Sequence, residues 1–194
     1  MKTFFETKIL QKKLALKAEV QNELKRTSRL LPQVDKLGVT WSKKNYFNGY
    51  TSYGSLSDLH QQFSVFGVLK LAIDKEVRLF AKQVGLVFPR GKLGLSAIWV
   101  NIMKKNCYHS LHLHPNSILS GTYYLSVPKM TSPIRFEDPR CGLFMASPPR
   151  RIQQDLRPKV GEIVLFESWL KHEVPPNASN EERISVSFNY DWLQ

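Results

Sequence analysis

The sequence predicts a mainly β fold with N-terminal helices, in which the strands form a sandwich or a jelly roll. After residue 91 the chain consists of short runs rich in Val, Ile, Phe and Tyr, separated by Pro, Gly and Asn. Such runs are typical of many short strands. No helical pattern lies between them, which favours a sandwich or a jelly roll over a parallel sheet. We expect strands at 95–104, 118–127, 133–137, 149–154, 162–166 and 182–190.

Two helices are expected ahead of these strands. Residues 8–31 carry apolar side chains near helical spacing, with lysines between them, and Pro32 follows as a stop. A second helix is expected to begin after Ser55 or Ser57, either of which can cap its first turn, and to end near Val84. The apolar stripe of this second helix predicts that it lies against a sheet.

The length of 194 residues suits one domain with an added N-terminal layer. We predict that residues 1–40 form a helical extension and that residues 41–194 form a single domain. That domain would comprise a helical layer at about 55–85 and a jelly-roll core at about 93–194.

Cysteine use and hydropathy indicate a soluble cytoplasmic protein. Cys107 and Cys141 are too few for a disulfide framework and have neither a CxxC nor a metal-type spacing. No stretch approaches the roughly eighteen apolar residues of a membrane span, and the N-terminus lacks the apolar core of a signal peptide. We expect a reducing compartment, no membrane association, and a monomer or a homodimer.

The net charge of +12 lies mostly in the first 90 residues, away from the histidines described next. A basic surface can hold an anionic partner such as nucleic acid, because phosphate contacts supply affinity independent of sequence. The lysines and arginines form no RNP, zinc-finger or helix-turn-helix pattern. A solvated basic face is therefore favoured, and a nucleic-acid partner stays open.

Histidines are concentrated in the segment YHSLHLHPNS, which holds three of the five in the chain. In an extended segment, His112 and His114 point to the same side, Leu113 points into the apolar layer, and His109 is out of phase with the pair. A third ligand from a neighbouring strand would complete one face of an octahedron and leave positions open, and His172 is placed to be that ligand. These residues predict a mononuclear non-haem iron site.

Near the C-terminus, the segment ERISVSFNYDW places Arg183, Ser185 and Ser187 on one side of a strand. The charged side chain of an arginine inside such a strand needs a partner group. Its planar fork matches a carboxylate, and a nearby serine hydroxyl can bind the same oxygens, so Arg183 and Ser185 suit a dicarboxylate. Alternatively, Arg183 forms a structural salt bridge with Glu137, Asp138 or Glu162.

Several motifs follow one another in a specific order: HxH, SGTYYL, FEDPR, GEIVLFESWLKHEVPP and RISVSFN. In this order and spacing the sequence resembles the iron(II)- and 2-oxoglutarate-dependent oxygenases related to the prolyl hydroxylases. The resemblance extends upstream through WVNIM and covers about residues 45–191. Residues 1–40 fall outside it.

The resemblance implies a double-stranded β-helix that holds iron(II), with 2-oxoglutarate chelating the metal and its far carboxylate on Arg183 and Ser185. The implied metal ligands are His112, His114 and His172. Tyr124 and Asn101 are candidates for hydrogen bonds to the bound oxo-acid. In the broader superfamily the second ligand is an aspartate, and here that position is His114. Either the site is a three-histidine face, or a carboxylate such as Asp138 supplies a ligand.

The resemblance predicts an oxygenase, a hydroxylase that couples oxidative decarboxylation of 2-oxoglutarate to oxidation of a second substrate. The sequence does not say whether that substrate is a small molecule or a protein. Its contacts would come from loops such as 105–117 and 139–150. Two alternatives are a cupin-like dioxygenase that uses three histidines and no oxo-acid, and a non-catalytic basic binding module.

Overall fold

The computed structural model describes residues 1–87, 90–145 and 152–193. Within them the chain forms ten strands and four α-helices. The strands are β1 (Leu10–Lys13), β2 (Gly49–Thr51), β3 (Lys92–Met103), β4 (His109–His112), β5 (Leu119–Ser126), β6 (Ile134–Glu137), β7 (Gln153–Leu156), β8 (Glu162–Glu167), β9 (His172–Val174) and β10 (Arg183–Leu193). The helices are α1 (Ala18–Val34), α2 (Lys36–Asn45), α3 (Leu59–Gln62) and α4 (Ser64–Gln83), and a 3-10 helix covers Cys141–Met145.

Two antiparallel sheets form the core of the molecule. The larger sheet has the strand order β1-β8-β5-β10-β3-β2, and the smaller has the order β4-β9-β6-β7. Their facing surfaces pack together, with Tyr124 and Phe166 of the larger sheet in one apolar cluster with Ile134 and Phe136 of the smaller. The predicted jelly-roll architecture is confirmed.

The helices pack against the other face of the larger sheet. Successive side chains of a strand point to opposite faces, so Tyr123 joins the helix-covered core while Tyr124 faces the smaller sheet. Leu69 of α4 and Leu24 of α1 are fully buried in that core. Each such side chain stabilises the fold by about 1.5–3 kcal/mol. The prediction that the second helix lies against a sheet is confirmed.

A buried carboxyl group fixes α2 beside the larger sheet. Asp35 accepts hydrogen bonds from the Gly38 amide at 2.8 Å, the Tyr50 hydroxyl at 2.7 Å and the Ser55 hydroxyl at 2.6 Å. A Cβ atom at Gly38 would lie 2.0 Å from Asp35 Oδ2, so the close approach requires glycine. This cluster joins the start of α2 to β2, and it thereby sets where the C-terminal half of α2 lies.

The predicted helix 8–31 is wrong over its first ten residues. Residues 10–13 instead form β1, an edge strand that pairs with β8. A four-residue edge strand with three exposed side chains has too short a pattern for periodicity to separate strand from helix. The helix itself begins at Ala18, and Pro32 lies in its last turn rather than after it.

The second predicted helix is also different in detail, because neither Ser55 nor Ser57 caps it. Asp58 precedes α3, and Phe63, in extended backbone, separates α3 from α4. Ser55 instead donates its hydroxyl to Asp35. A serine near a helix start can serve a distant acceptor equally well, and the sequence does not reveal that acceptor.

Five of the six predicted strands are found within three residues of their expected bounds. The strand expected at 149–154 instead covers Gln153–Leu156, and residues 146–151 lie outside the described part of the chain. The unpredicted strands β2, β4 and β9 have only three or four residues each, too few for alternation to be visible. Since α2 crosses residue 40 and β1 joins the larger sheet, the division at residue 40 stays a prediction.

Within the described residues, no helix has the length and apolar character needed to cross a membrane.

Candidate active site

Three histidines converge where the two short strands β4 and β9 meet. His112 ends β4 and pairs in register with His172, the first residue of β9. His114 follows two residues later, and its amide donates a hydrogen bond of 3.0 Å to the carbonyl oxygen of Ser168. One ring nitrogen of each histidine lies within 4.8 Å of the others, and the Nε2 atoms of His114 and His172 are 3.3 Å apart. The structure thus brings together the three residues predicted as metal ligands.

Backbone carbonyls orient two of the imidazole rings. His112 Nδ1 lies 2.7 Å from the Ser110 oxygen, and His172 Nδ1 lies 2.9 Å from the Leu170 oxygen. A carbonyl oxygen only accepts, so each Nδ1 carries the proton and donates it. This leaves the Nε2 atom of each ring directed away from the backbone carbonyl and available as the ligand atom.

The site also keeps two of these rings neutral. Burial, together with the neighbouring His112, lowers the pKa of His172 to about 3 and that of His114 to about 4. Both rings are therefore unprotonated near neutral pH, and metal binding need not displace a proton from them. Three converging imidazoles fit a first-row divalent metal such as iron(II).

Arg183, the first residue of β10, is buried with only 2% of its surface exposed. Its Nη1 atom lies 3.1 Å from Met103 Sδ and 3.4 Å from Ser185 Oγ, and its Cζ lies 5.0 Å from the centre of the Tyr124 ring. Its Nε atom has no hydrogen-bond partner among the described residues. No carboxylate in the described part of the chain forms a salt bridge with it, so the cation is buried without a counterion.

The acidic residues weighed as salt-bridge partners of Arg183 are engaged elsewhere. Glu137 lies 3.4 Å from Lys171, Asp138 pairs with Arg140 at 2.6 Å, and Glu162 accepts from the Gln11 side chain at 2.7 Å. Asp138, also weighed as a metal ligand, is not part of the histidine group. The described residues therefore contain neither the structural salt bridge nor the carboxylate ligand.

Strand pairing aligns three more of the predicted residues in one row. Ser185 of β10 pairs with Asn101 of β3 on one side and with Tyr124 of β5 on the other. Asn101 Oδ1 and the Tyr124 hydroxyl are buried and have no hydrogen-bond partner among the described residues. Burial raises the pKa of the Tyr124 hydroxyl, so it keeps its proton and can donate. The row presents unused polar groups beside Arg183.

One cavity of about 600 Å³ contains all of these groups. Its walls include the three histidines, Arg183 and the row of Asn101, Ser185 and Tyr124. It is the size of a site that buries a small ligand, roughly 300–1,000 Å³. An anion held by Arg183 would therefore share one enclosed space with a metal held by the histidines.

Residues 97–189 match the family model described as "Putative 2OG-Fe(II) oxygenase". The matched segment contains every residue predicted for the metal and oxo-acid sites. This segment belongs to the 2-oxoglutarate- and iron(II)-dependent oxygenases. This match confirms the resemblance noted in the sequence, and with it the prediction of an oxygenase that uses iron(II) and 2-oxoglutarate. None of the curated protein sequences is similar enough to this chain to count as a match.

Solved structures of oxygenases share the fold of this one, the double-stranded β-helix. HygX from Streptomyces hygroscopicus, with nickel, 2-oxoglutarate and hygromycin B bound, has a TM-score of 0.65 at 14% identity, over 95% of this chain and 83% of that one. The viral collagen prolyl hydroxylase of Paramecium Bursaria Chlorella virus-1, in complex with 2OG, has a TM-score of 0.60 at 14% identity, over 96% of both chains. A Pseudomonas putida prolyl-4-hydroxylase has a TM-score of 0.56 at 15% identity, over 97% of this chain and 94% of that one.

Some features of this oxygenase were not expected from its sequence. Leu113 is 39% exposed and does not point into the apolar layer, because β4 ends at His112 and the strict alternation stops there. His109 stays outside the metal group, as predicted, but its Nε2 lies 2.5 Å from the Tyr46 hydroxyl in the cavity wall. Thr122 of β5 was also not predicted as part of the site, and its hydroxyl oxygen lies 3.1 Å from that of Ser187 on β10. A polar residue within a largely apolar strand was the signal in the sequence that could have identified it.

Proposed function

We propose that His112, His114 and His172 hold the iron(II) of this oxygenase and that Arg183, with Ser185, binds the far carboxylate of 2-oxoglutarate. The unpaired burial of Arg183 beside the histidines is the observation that carries the proposal. A buried charge without a partner costs several kcal/mol, and a dicarboxylate cosubstrate would supply the missing anion whenever the enzyme is at work. A cupin-like dioxygenase without an oxo-acid would leave this cation unexplained.

The bound metal supplies oxygen activation, so that 2-oxoglutarate, O₂ and a substrate R–H become succinate, CO₂ and R–OH. The chain's own residues bind and orient the reactants. Arg183 offers a planar fork of N–H donors to the far carboxylate, and the Ser185 hydroxyl lies 3.4 Å from its Nη1, within reach of the same oxygens. Tyr124 and Asn101 line the same cavity as Arg183 and the histidines.

The direct test measures the binding of iron(II) and 2-oxoglutarate separately from the release of succinate. Under anaerobic conditions, calorimetry should show one iron(II) bound per chain and then 2-oxoglutarate bound only to the iron-loaded protein. Glutarate, which lacks the keto oxygen, should bind more weakly because it offers only its carboxylates. On admission of oxygen together with ascorbate as reductant, slow release of succinate is expected even without the second substrate, with the other oxygen atom reduced to water. A protein that binds iron but neither binds nor consumes 2-oxoglutarate would contradict the proposal.

A paired substitution decides between the three-histidine face and a site completed by Asp138. His114→Leu is expected to lose iron, since only two ligands would remain, whereas Asp138→Asn is expected to keep it. Asp138 is partly buried, with 20% of its side chain exposed, and pairs with Arg140, so its change should disturb mainly that ion pair. Anaerobic metal analysis of both variants provides the measurement. Iron retained by His114→Leu and lost by Asp138→Asn would assign the ligand to the carboxylate.

We also propose that the protein acts in the cytoplasm, as a monomer or a homodimer. Cys107 is buried and Cys141 is exposed, and both are free thiols, as suits a reducing compartment. Cell fractionation and sedimentation would test the two statements. Recovery of the native protein in a secreted fraction would contradict the first.

A further inference from the structure

The outer part of the cavity is lined by exposed aromatic side chains. Trp41, Phe47, Tyr53 and Tyr108 all line it, with exposed fractions between 48% and 66%. A single exposed aromatic residue is ordinary on a protein surface, but four around one opening are not. They form a surface suited to flat apolar groups at the entrance to the proposed catalytic site.

Two rows of rings in the cavity wall lead to the histidines. On one side the Tyr53 ring centre lies 4.8 Å from that of Trp99, which lies 6.1 Å from His114. On the other, the Tyr46 ring centre lies 4.9 Å from that of His109, which lies 6.1 Å from His112. A planar group entering the cavity would therefore meet ring faces and edges along its path.

The entrance also carries unpaired positive charge. Lys43 and Lys44 at the end of α2 line the cavity, are exposed, and form no salt bridge within the described residues. Lys104 and Lys105 lie close by, since Asn48 accepts from the Lys104 amide and donates to the Lys105 carbonyl.

Negative charge is lacking on the same surface. No aspartate or glutamate lines the cavity among the described residues. The segments 36–57 and 92–136, which supply most of its wall, contain no acidic residue at all. The local potential is therefore positive and attracts anions.

We propose that the substrate of this oxygenase is a nucleotide, with its base against the aromatic walls and its phosphate on Lys43 and Lys44. The inference rests on the proposed function, because it names the substrate of the same site. Aromatic platforms beside a basic groove are the combination that binds unpaired bases and their backbone. A neutral sugar would leave the lysines unused, and an aliphatic acid would leave the ring faces without a planar partner. A free nucleotide and a residue of a single strand share this chemistry.

The test is calorimetric binding to the protein loaded with iron and 2-oxoglutarate under anaerobic conditions, where no turnover occurs. The ligands are a short single strand of mixed sequence, as DNA and as RNA, the nucleoside monophosphates, and the uncharged nucleosides. We expect the phosphate-bearing ligands to bind at least about tenfold more tightly than the nucleosides. Binding of the strand alone would indicate nucleic acid, and binding of the monophosphates would indicate free nucleotides.

Matched variants distinguish a specific phosphate site at Lys43 and Lys44 from a general electrostatic attraction between the basic protein and the ligand. Lys43→Gln/Lys44→Gln should weaken binding about tenfold and lower the salt slope for the single strand by about 1.4. Lys75→Gln/Lys82→Gln removes the same charge from exposed positions on α4, outside the cavity, and should change little. Trp41→Leu should weaken binding about tenfold through lost stacking.

Equal losses in both lysine pairs, or no binding of any phosphate-bearing ligand, would overturn the inference. The proposed function is measured independently in the same samples. A protein that binds 2-oxoglutarate but no nucleotide would refute the substrate alone. A protein that binds nucleotides through Lys43 and Lys44, but neither iron nor 2-oxoglutarate, would keep the nucleotide site and refute the proposed function in favour of a basic binding module.

Discussion

Replacement of Arg183 by methionine is expected to weaken 2-oxoglutarate binding by about 100-fold or more, while the folded protein without cosubstrate becomes more stable. Removal of one member of a buried charged contact costs roughly 2–5 kcal/mol of binding free energy. In the unliganded protein, however, Arg183 is a buried cation that has no counterion among the residues that the structure describes, and it lies beside Met103 and Tyr124. Methionine fills similar space without a charge, so the free energy of unfolding should rise by about 1–3 kcal/mol.

The two effects are measured on the same protein. Denaturant unfolding of the metal-loaded variant gives its stability, and calorimetry gives its affinity for 2-oxoglutarate. Added 2-oxoglutarate should raise the melting temperature of the unchanged protein, because a ligand that binds only the folded state stabilises it. That rise should be absent in the variant. Iron content should be unchanged, since Arg183 is not among the metal-binding group.

Arg135 provides the matched control. It is an arginine on β6 that does have partners, Asp155 at 2.6 Å and Glu173 at 3.3 Å. Arg135→Met should lower stability and leave 2-oxoglutarate binding unchanged, the opposite of what is expected for Arg183→Met. If Arg183→Met instead destabilised the protein and kept its affinity for 2-oxoglutarate, the arginine would have a structural role and the oxo-acid site would be elsewhere.

The sequence predicted the parts of this site that depend on local pattern. Alternation along RISVSFN placed Arg183 and Ser185 on one side of a strand, and the structure has both in the cavity wall. The HxH spacing and His172 converge as expected. Such inferences need only the two-residue period of an extended chain and the order of motifs.

The rest of the site depends on long-range pairing, which the pattern does not encode. The row of Asn101, Ser185 and Tyr124 follows from the register of three strands, so resemblance and not periodicity indicated Asn101 and Tyr124. The aromatic and basic entrance depends on where α2 lies, which is set by the contacts of Asp35 with Tyr50 and Ser55. This packing brings Trp41, Lys43 and Lys44 of α2 to the wall of the cavity.

The wrong predictions at the short strands β1 and β4 have the same cause. β1 and β4 each hold four residues, and their strand character comes from partners distant in sequence, β8 and β9. Leu113 follows the end of β4, so the expected alternation no longer applies and its side chain faces solvent. In each case a tertiary contact, and not local propensity, decides the conformation.

Replacement of His172 is expected to abolish iron binding and with it all release of succinate. His112 and His114 would remain as two ligands from one short segment, with none from β9 to close the face. Loss of an outer hydrogen bond to a metal ligand already costs about 10–100-fold in affinity, and loss of the ligand itself costs more. Anaerobic metal analysis should therefore fall from one iron per chain to a trace.

The choice of replacement matters because His172 is only 4% exposed and packs edge-on against Phe166, with ring centres 4.6 Å apart. His172→Ala would leave a cavity and could lower stability by about 2–3 kcal/mol. His172→Leu keeps the volume and should stay folded, so its loss of iron reports on ligation alone. His109→Gln is the control, since His109 lies next to the group but outside it, and it should retain iron. Iron retained by folded His172→Leu would show that the metal is held by other residues, and the assignment of all three histidines would fail with it.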